Sequence, residues 1–207
     1  MSPERSREGL QRSTSYGMKI ACLGLSANPP HMGHVVGARI VLGSGYVDEV
    51  WLVPAFKHPF SKPDMASWHH RLAMTRLLEE PGIVVSDAEY ERGGTSYTID
   101  TLRYLQEKYP EHEFYWAVGS DIVTSGAYVK WQSWEELRKN FKFIVFERPG
   151  YPITQAEVPD NFLVIDPANK AISSTDVRRM VHSGDDIAPH VGEEMADYIK
   201  KHKLYRG

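Results

Sequence analysis

Short apolar runs and amphipathic stretches alternate along this chain, so the hydrophobic period switches repeatedly between strand-like and helix-like. Lys19-Ile20-Ala21-Cys22-Leu23 is too short for a helix and reads as a buried strand, while Val36, Ile40 and Val41 recur at helical spacing and predict a helix starting near Met32 or Gly33. Glu49-Val50-Trp51-Leu52-Val53-Pro54 predicts a second strand, followed by a loop over residues 55–63. A helix is expected over Ser67 to Glu80, with Leu72, Met74, Leu77 and Leu78 on its apolar side, then a strand at Ile83-Val84-Val85-Ser86. An acidic and Gly-Gly stretch leads into Ser96-Tyr97-Thr98, where Leu102 and Leu105 continue a helix that ends before Pro110. Glu113-Phe114-Tyr115-Trp116-Ala117-Val118 is an alternating, aromatic strand; Phe143 to Phe146 and Phe162 to Ile165 add two more. Glu193 to Tyr205 predicts an amphipathic closing helix. Five or six strands alternating with helices imply an α/β fold, a doubly wound parallel sheet with helices on both faces.

Composition narrows the class without changing this picture. The 207 residues suit a single domain, expected over 18–207 with residues 172–207 as a C-terminal helical part. Residues 1–17 are rich in Ser and Arg, poor in apolar side chains, and are expected to be disordered. With 42% hydrophobic residues, 25% charged residues and a formal net charge of −3, the chain lacks the basic surplus of a dedicated nucleic-acid binder. One cysteine excludes an internal disulfide framework and fits a reducing cytoplasm. The sequence has no apolar h-region for secretion and no stretch of the roughly 18 apolar residues that a membrane helix needs.

The densest chemistry lies in Gly24-Leu25-Ser26-Ala27-Asn28-Pro29-Pro30-His31-Met32-Gly33-His34, between the first strand and the first helix. A strand, a small-residue turn and a helix N-terminus make an anion site, because unpaired N–H groups and the positive end of the dipole point into the turn. His31 and His34 are three residues apart, so both can face that site and donate to phosphate oxygens. A plain strand-to-helix turn and a zinc pair are the competing readings; zinc needs three or four protein ligands, and the one cysteine lies within the strand. In the loop after the second strand, Lys57, His58 and Lys62 are candidates for gripping phosphate, against a solvated surface loop. His69 and His70 are adjacent and diverge on a helix, and Arg71 reads as structural. Thr95 or Ser96 reads as a helix cap. Gly119-Ser120-Asp121 puts a carboxylate at the sheet's carboxyl edge, where it can bind ribose hydroxyls, bind a hydrated magnesium ion, or simply cap a helix. Trp131 and Trp134 read from the residues alone as core. Ile172-Ser173-Ser174-Thr175-Asp176-Val177-Arg178 gathers hydroxyls at a helix start with an arginine on about the same face, which marks a second phosphate site about 140 residues from the first. Neither a Ser-His-Asp or Cys-His set nor a Walker lysine loop stands out.

These motifs resemble those of the HxGH nucleotidyltransferases, whose first signature is matched by Gly24, Ser26, Asn28, Pro29, His31, Gly33 and His34, with Leu25 in place of a glycine and Ala27 in place of a phenylalanine. Within that superfamily, Ser96-Tyr97-Thr98, Trp131, the turn at Arg148-Pro149-Gly150 and Ile172-Ser173-Ser174-Thr175 with Arg178 are similar to bacterial nicotinate mononucleotide adenylyltransferases. The resemblance implies a Rossmann-like domain that joins ATP to nicotinate mononucleotide. It implies catalytic roles for His31, His34, Lys62 and Arg178, and ATP contacts from Gly24, Leu25, Ser26, Gly33, His34, Gly119, Asp121, Ile172, Ser173, Ser174, Thr175 and Arg178. It further implies acceptor contacts from Asn28, Lys57, His58, Tyr97, Thr98, Trp131 and Arg148, with Trp131 stacked on the pyridine ring and Trp134 packed inside. Mg2+ would come with ATP, held through phosphates and through water to Asp121. Nicotinamide mononucleotide, a phosphopantetheine-type acceptor, a cytidine donor and a non-catalytic nucleotide sensor are the alternatives. No nucleic-acid or membrane partner is expected, and the sequence leaves oligomeric state open.

Overall fold

The computed structural model describes residues 17–59, 64–165 and 174–205. Among them, six strands form one parallel sheet in the order β3-β2-β1-β4-β5-β6. The strands are β1 (Lys19–Leu25), β2 (Glu49–Pro54), β3 (Ile83–Val85), β4 (Glu113–Gly119), β5 (Lys142–Phe146) and β6 (Phe162–Ile165). The helices are α1 (Met32–Gly43), α2 (Trp68–Arg76), α3 (Ala88–Arg92), α4 (Thr98–Lys108), α5 (Ser120–Thr124), α6 (Trp134–Asn140), α7 (Ser174–Ser183), α8 (Ala188–Val191) and α9 (Glu193–Lys201).

The apolar runs are continuous because the sheet is covered on both faces. Ala21, Leu23 and Leu25 of β1 turn to one side, against Val35, Ala38 and Val41 of α1, Val177 of α7, and Met195 and Ile199 of α9. Ile20 and Cys22 turn to the other, among Ile99, Leu102 and Leu105 of α4 with Trp116, Phe143 and Phe162. That alternation is the period of two expected of a strand. Strands β1 and β4 are neighbours, and the order of the sheet reverses between them. In such sheets the connections on either side of the reversal leave on opposite faces, which opens a crevice at the carboxyl edge.

Three local differences from the sequence expectation have physical reasons. Helix α2 ends at Arg76 rather than Glu80, because the chain must reverse into β3: Leu78 N–H donates to Thr75 O, Glu80 and Ile83 exchange backbone bonds, and Gly82 adopts φ 81°. The acidic stretch forms α3, which is too short to show a helical period and is closed by Gly93 at φ 71°. Helix α4 is not capped by Thr95 or Ser96: its cap position is Tyr97, without a side-chain bond, and Ser96 Oγ instead accepts from Lys57 N–H at 3.1 Å. The expectation of disorder over residues 1–17 falls almost entirely outside the described residues. Among the described residues no helix is long and apolar enough to cross a membrane.

Candidate active site

The crevice above β1 and β4 is a cavity of about 540 Å³. Its floor follows from two glycines. A Cβ at Gly24 would lie 2.4 Å from Trp116 Cζ2, and one at Gly119 would lie 2.4 Å from both Asp121 Oδ1 and Arg148 Cδ. At each position, only a residue without a side chain lets the strand end meet its neighbour.

The turn from Ser26 to His31 is held by its carbonyls. Pro29 and Pro30 have no N–H to give, so the oxygens here need donors from elsewhere. Ser174 Oγ donates to Pro29 O at 2.8 Å, and Arg178 Nη1 donates to Asn28 O. Arg71, 2% exposed, donates to Ser26 O and Ala55 O through Nη1, to Phe56 O through Nη2 and to Ala66 O through Nε. The structural reading of Arg71 thus takes a specific form, a guanidinium that joins the first turn to the loop after β2. Asn28 holds the far side: its Nδ2 donates to Asp64 O at 3.3 Å and its Oδ1 accepts from Ala66 N–H at 2.9 Å. Leu25, the departure from the usual glycine, is 6% exposed and packs with Leu23 and Val35 in the core.

His31 occupies the cap position of α1 and is 4% exposed. Its N–H donates to His34 Nδ1 at 3.1 Å, the two rings lie 3.8 Å apart, and His34 N–H returns a bond to His31 O at 2.9 Å. With Nδ1 accepting, neutral His34 carries its proton on Nε2. His31 Nδ1 is buried without a hydrogen-bond partner among the described residues. Desolvation, with His34 and Arg148 adding to it, pushes His31 down to about 2, and desolvation and Arg148 push His34 down to about 4. Both imidazoles are therefore neutral donors at pH 7.

Acid stability follows from these shifts. The unfolded chain takes up protons on both histidines near their ordinary value of 6.5, whereas the native chain resists them until about 4 and about 2. Stability from this source is complete above pH 6.5 and is lost as pH falls toward 4. The melting temperature in the absence of nucleotide should be lower at pH 5 than at pH 7, with a shallower slope in His34→Gln. Equal slopes in the two proteins would show that His34 is not the group involved.

Across the crevice, Arg148 Nη1 donates to Asp121 Oδ2 at 3.1 Å, and Arg148 N–H donates to Ser120 Oγ at 2.8 Å. The other carboxylate oxygen, Asp121 Oδ1, is buried without a hydrogen-bond partner among the described residues. It suits a sugar hydroxyl or a water of a hydrated cation. Among the described residues no group of three or more His, Cys, Asp or Glu is placed to hold a metal ion.

Of the residues expected at the site, Gly24, Leu25, Ser26, His31, Gly33 and His34 line the cavity from the first turn. His58, Tyr97, Thr98, Gly119, Asp121, Trp131, Arg148 and Ser174 line it from six other segments. Trp131 is not borne on a helix. It stands between a short 3₁₀ turn at Ala127–Lys130 and α6, with its ring 6.0 Å from Phe143, while Trp134 packs against Tyr128 and Phe162. Asn28, Lys57, Thr175 and Arg178 do not line the cavity. Arg178 instead braces the turn, with its Nη2 on Thr175 Oγ1 at 3.1 Å. Lys62, Ile172 and Ser173 lie outside the described residues.

Three polar lining residues are not among those the sequence points to. Glu89, 4% exposed, accepts from Phe56 N–H at 3.1 Å and from Thr101 Oγ1 at 2.9 Å, and burial raises its pKa. Lys130 and Gln132 flank Trp131. Glu89 could not be found by periodicity in so short a helix, whereas the position of Lys130 beside Trp131 was a usable signal.

Known proteins show the same organisation. The cytidylyltransferase-like family matches residues 24–180. A probable nicotinate-nucleotide adenylyltransferase of Anaeromyxobacter sp. (strain K) is 38% identical over 198 residues, covering 93% of this chain and 100% of the relative. A probable nicotinate-nucleotide adenylyltransferase of Salinibacter ruber is 37% identical over 195 residues, covering 91% and 98%. Among solved structures, Plasmodium falciparum nicotinic acid mononucleotide adenylyltransferase complexed with NaAD superposes with a TM-score of 0.77 at 23% identity, covering 90% of this chain and 97% of that one. At that identity the superposition speaks for the fold, and the two bacterial relatives speak for the family. With its first turn, its paired histidines and its crevice between β1 and β4, this chain belongs to the nicotinate-nucleotide adenylyltransferase family of cytidylyltransferase-like proteins.

Proposed function

We infer that the protein transfers the adenylyl group of ATP to nicotinate mononucleotide, yielding nicotinate adenine dinucleotide and pyrophosphate in NAD biosynthesis. The observation that carries this reading is a single cavity that joins the histidine-bearing start of α1 to Tyr97, Thr98 and Trp131. The names of full-length relatives agree with it. The reading takes residues 18–207 as one nucleotidyltransferase domain in the cytoplasm.

In the reaction, a phosphate oxygen of the acceptor forms a bond to the α-phosphorus of ATP as the bond to the pyrophosphate oxygen breaks. The attacking monoester is already an anion at neutral pH, so no side chain has to remove a proton. What remains is alignment and charge. His34 Nε2–H and His31, neutral and preorganised by their mutual bond, donate where charge builds on the transferred phosphoryl group and its leaving oxygen. The N–H groups at the starts of α1 and α7 support the same phosphates. Arg178 acts by fixing the turn, and Lys62, Ile172 and Ser173 keep the phosphate roles that the resemblance gives them. Asp121 receives a ribose hydroxyl or a water of the hydrated cation. A divalent cation, expected to be Mg2+, would neutralise phosphate charge as it arrives with ATP. Trp131 stacks on the pyridine, and the free N–H groups at the start of α4 meet its carboxylate.

Pyrophosphate release from ATP and Mg2+ should be fastest with nicotinate mononucleotide, slower with nicotinamide mononucleotide and absent with phosphopantetheine. Preference for either of the latter two would replace the acceptor in this reading. Silence with all three, despite ATP binding, would favour a nucleotide sensor.

A further inference from the structure

The cavity's charges are unevenly available. Arg148 is paired with Asp121 at 3.1 Å, and the Glu89 carboxyl is turned onto Phe56 N–H and the Thr101 hydroxyl. Desolvation keeps His31 and His34 neutral at pH 7. Lys130 differs: it is exposed, lines the same cavity, and its ammonium makes neither an ion pair nor a hydrogen bond with any described residue.

Its backbone is nevertheless held in place. Gly126 at φ 65° starts the 3₁₀ turn, Val129 N–H donates to Gly126 O at 3.3 Å, and Trp131 N–H donates to Tyr128 O at 3.0 Å. The Tyr128 ring packs 4.9 Å from Trp134 and 5.4 Å from Phe162, which ties the turn to the core. Lys130 is thus a fixed Cα with a free four-carbon stem, one residue before the indole assigned to the pyridine ring.

Resting on the acceptor reading above, we propose that Lys130 is the specificity-determining cation of the acceptor site, pairing with the pyridine carboxylate and so favouring nicotinate over nicotinamide mononucleotide. The two acceptors share every phosphate and ribose contact and differ by one negative charge. Backbone N–H groups at the start of α4 favour the acid to some extent, but they can also bond to a neutral amide oxygen, so they leave discrimination for a full charge to add. An ammonium with no competing carboxylate among the described residues gains only with the acid.

The test compares kcat/KM for the two acceptors in the wild type, Lys130→Met and Lys130→Arg, with melting temperature as the control for folding. The nicotinate-to-nicotinamide ratio should fall about tenfold in the methionine variant, through a higher KM for nicotinate mononucleotide, as loss of one charge-assisted contact implies. It should stay within about twofold of wild type in the arginine variant, which keeps the charge. Added salt should lower the ratio in wild type and leave it flat in Lys130→Met. A wild-type preference for nicotinate that survives in Lys130→Met overturns the proposal and leaves the acceptor reading intact. A wild type with no such preference overturns both.

Discussion

Replacing His34 with alanine is expected to lower kcat by about two to three orders of magnitude and leave the fold in place. The imidazole is at once the acceptor for His31 N–H and, through Nε2–H, a donor aimed by that same bond. Alanine therefore removes a donor and releases its neighbour, whose ring lies 3.8 Å away. Because no proton is abstracted in the reaction, the loss is one of charge stabilisation, and it should be independent of pH between about 7 and 9. The structural cost is one backbone bond at a helix start, about 1 kcal/mol, or about 3 °C of melting temperature. Pyrophosphate release and a thermal melt separate the two effects. Near-normal turnover by the purified variant would remove His34 from the mechanism.

The second large effect is on stability and comes from a residue that does not line the cavity. Arg71→Met replaces a side chain of comparable length but strips donors from four carbonyls, those of Ser26, Ala55, Phe56 and Ala66. Buried acceptors left unpaired cost about 1–3 kcal/mol each before relaxation. Allowing for water entry at the partly exposed ones, a total of about 4 kcal/mol is expected, equivalent to a melting temperature about 10 °C lower. Arg71→Lys keeps the charge but not the planar fork, so it should recover only part of the loss. The KM values for both substrates should rise together, because the first turn and the loop after β2 share this anchor. A methionine variant melting within about 2 °C of wild type would show that the carbonyls find other donors.

The sheet was legible because its central strands β1, β4 and β5 are short apolar runs buried on both faces, and the alternation with amphipathic segments left little choice but a parallel winding. The first turn was legible for a different reason: two prolines, two histidines at a spacing of three and flanking glycines leave a pattern that packing does not require. Side chains that bond to backbone left no such trace. Arg71 looks like any polar residue on a helix, because its partners are carbonyls from three separate segments. Arg178 was expected on phosphate for the company it keeps with Ser174, yet its guanidinium turns to Asn28 O and Thr175. Thr95 or Ser96 reads as a cap because hydroxyls commonly serve that way, but Ser96 bonds instead to the nearby Lys57 backbone. Trp131 owes its place to the 3₁₀ turn before it, whose positive φ at Gly126 the apolar pattern does not encode.

The contact of Ser174 and Arg178 with the Pro-Pro turn spans about 145 residues of chain. Neither partner can shape the turn until β4, β5 and β6 have been laid down and α7 has docked behind them. Loops of that length close late, since the entropy of closure must be met before the contact gives anything back. The turn around the histidines is thus finished by a contact that forms only once α7 has docked.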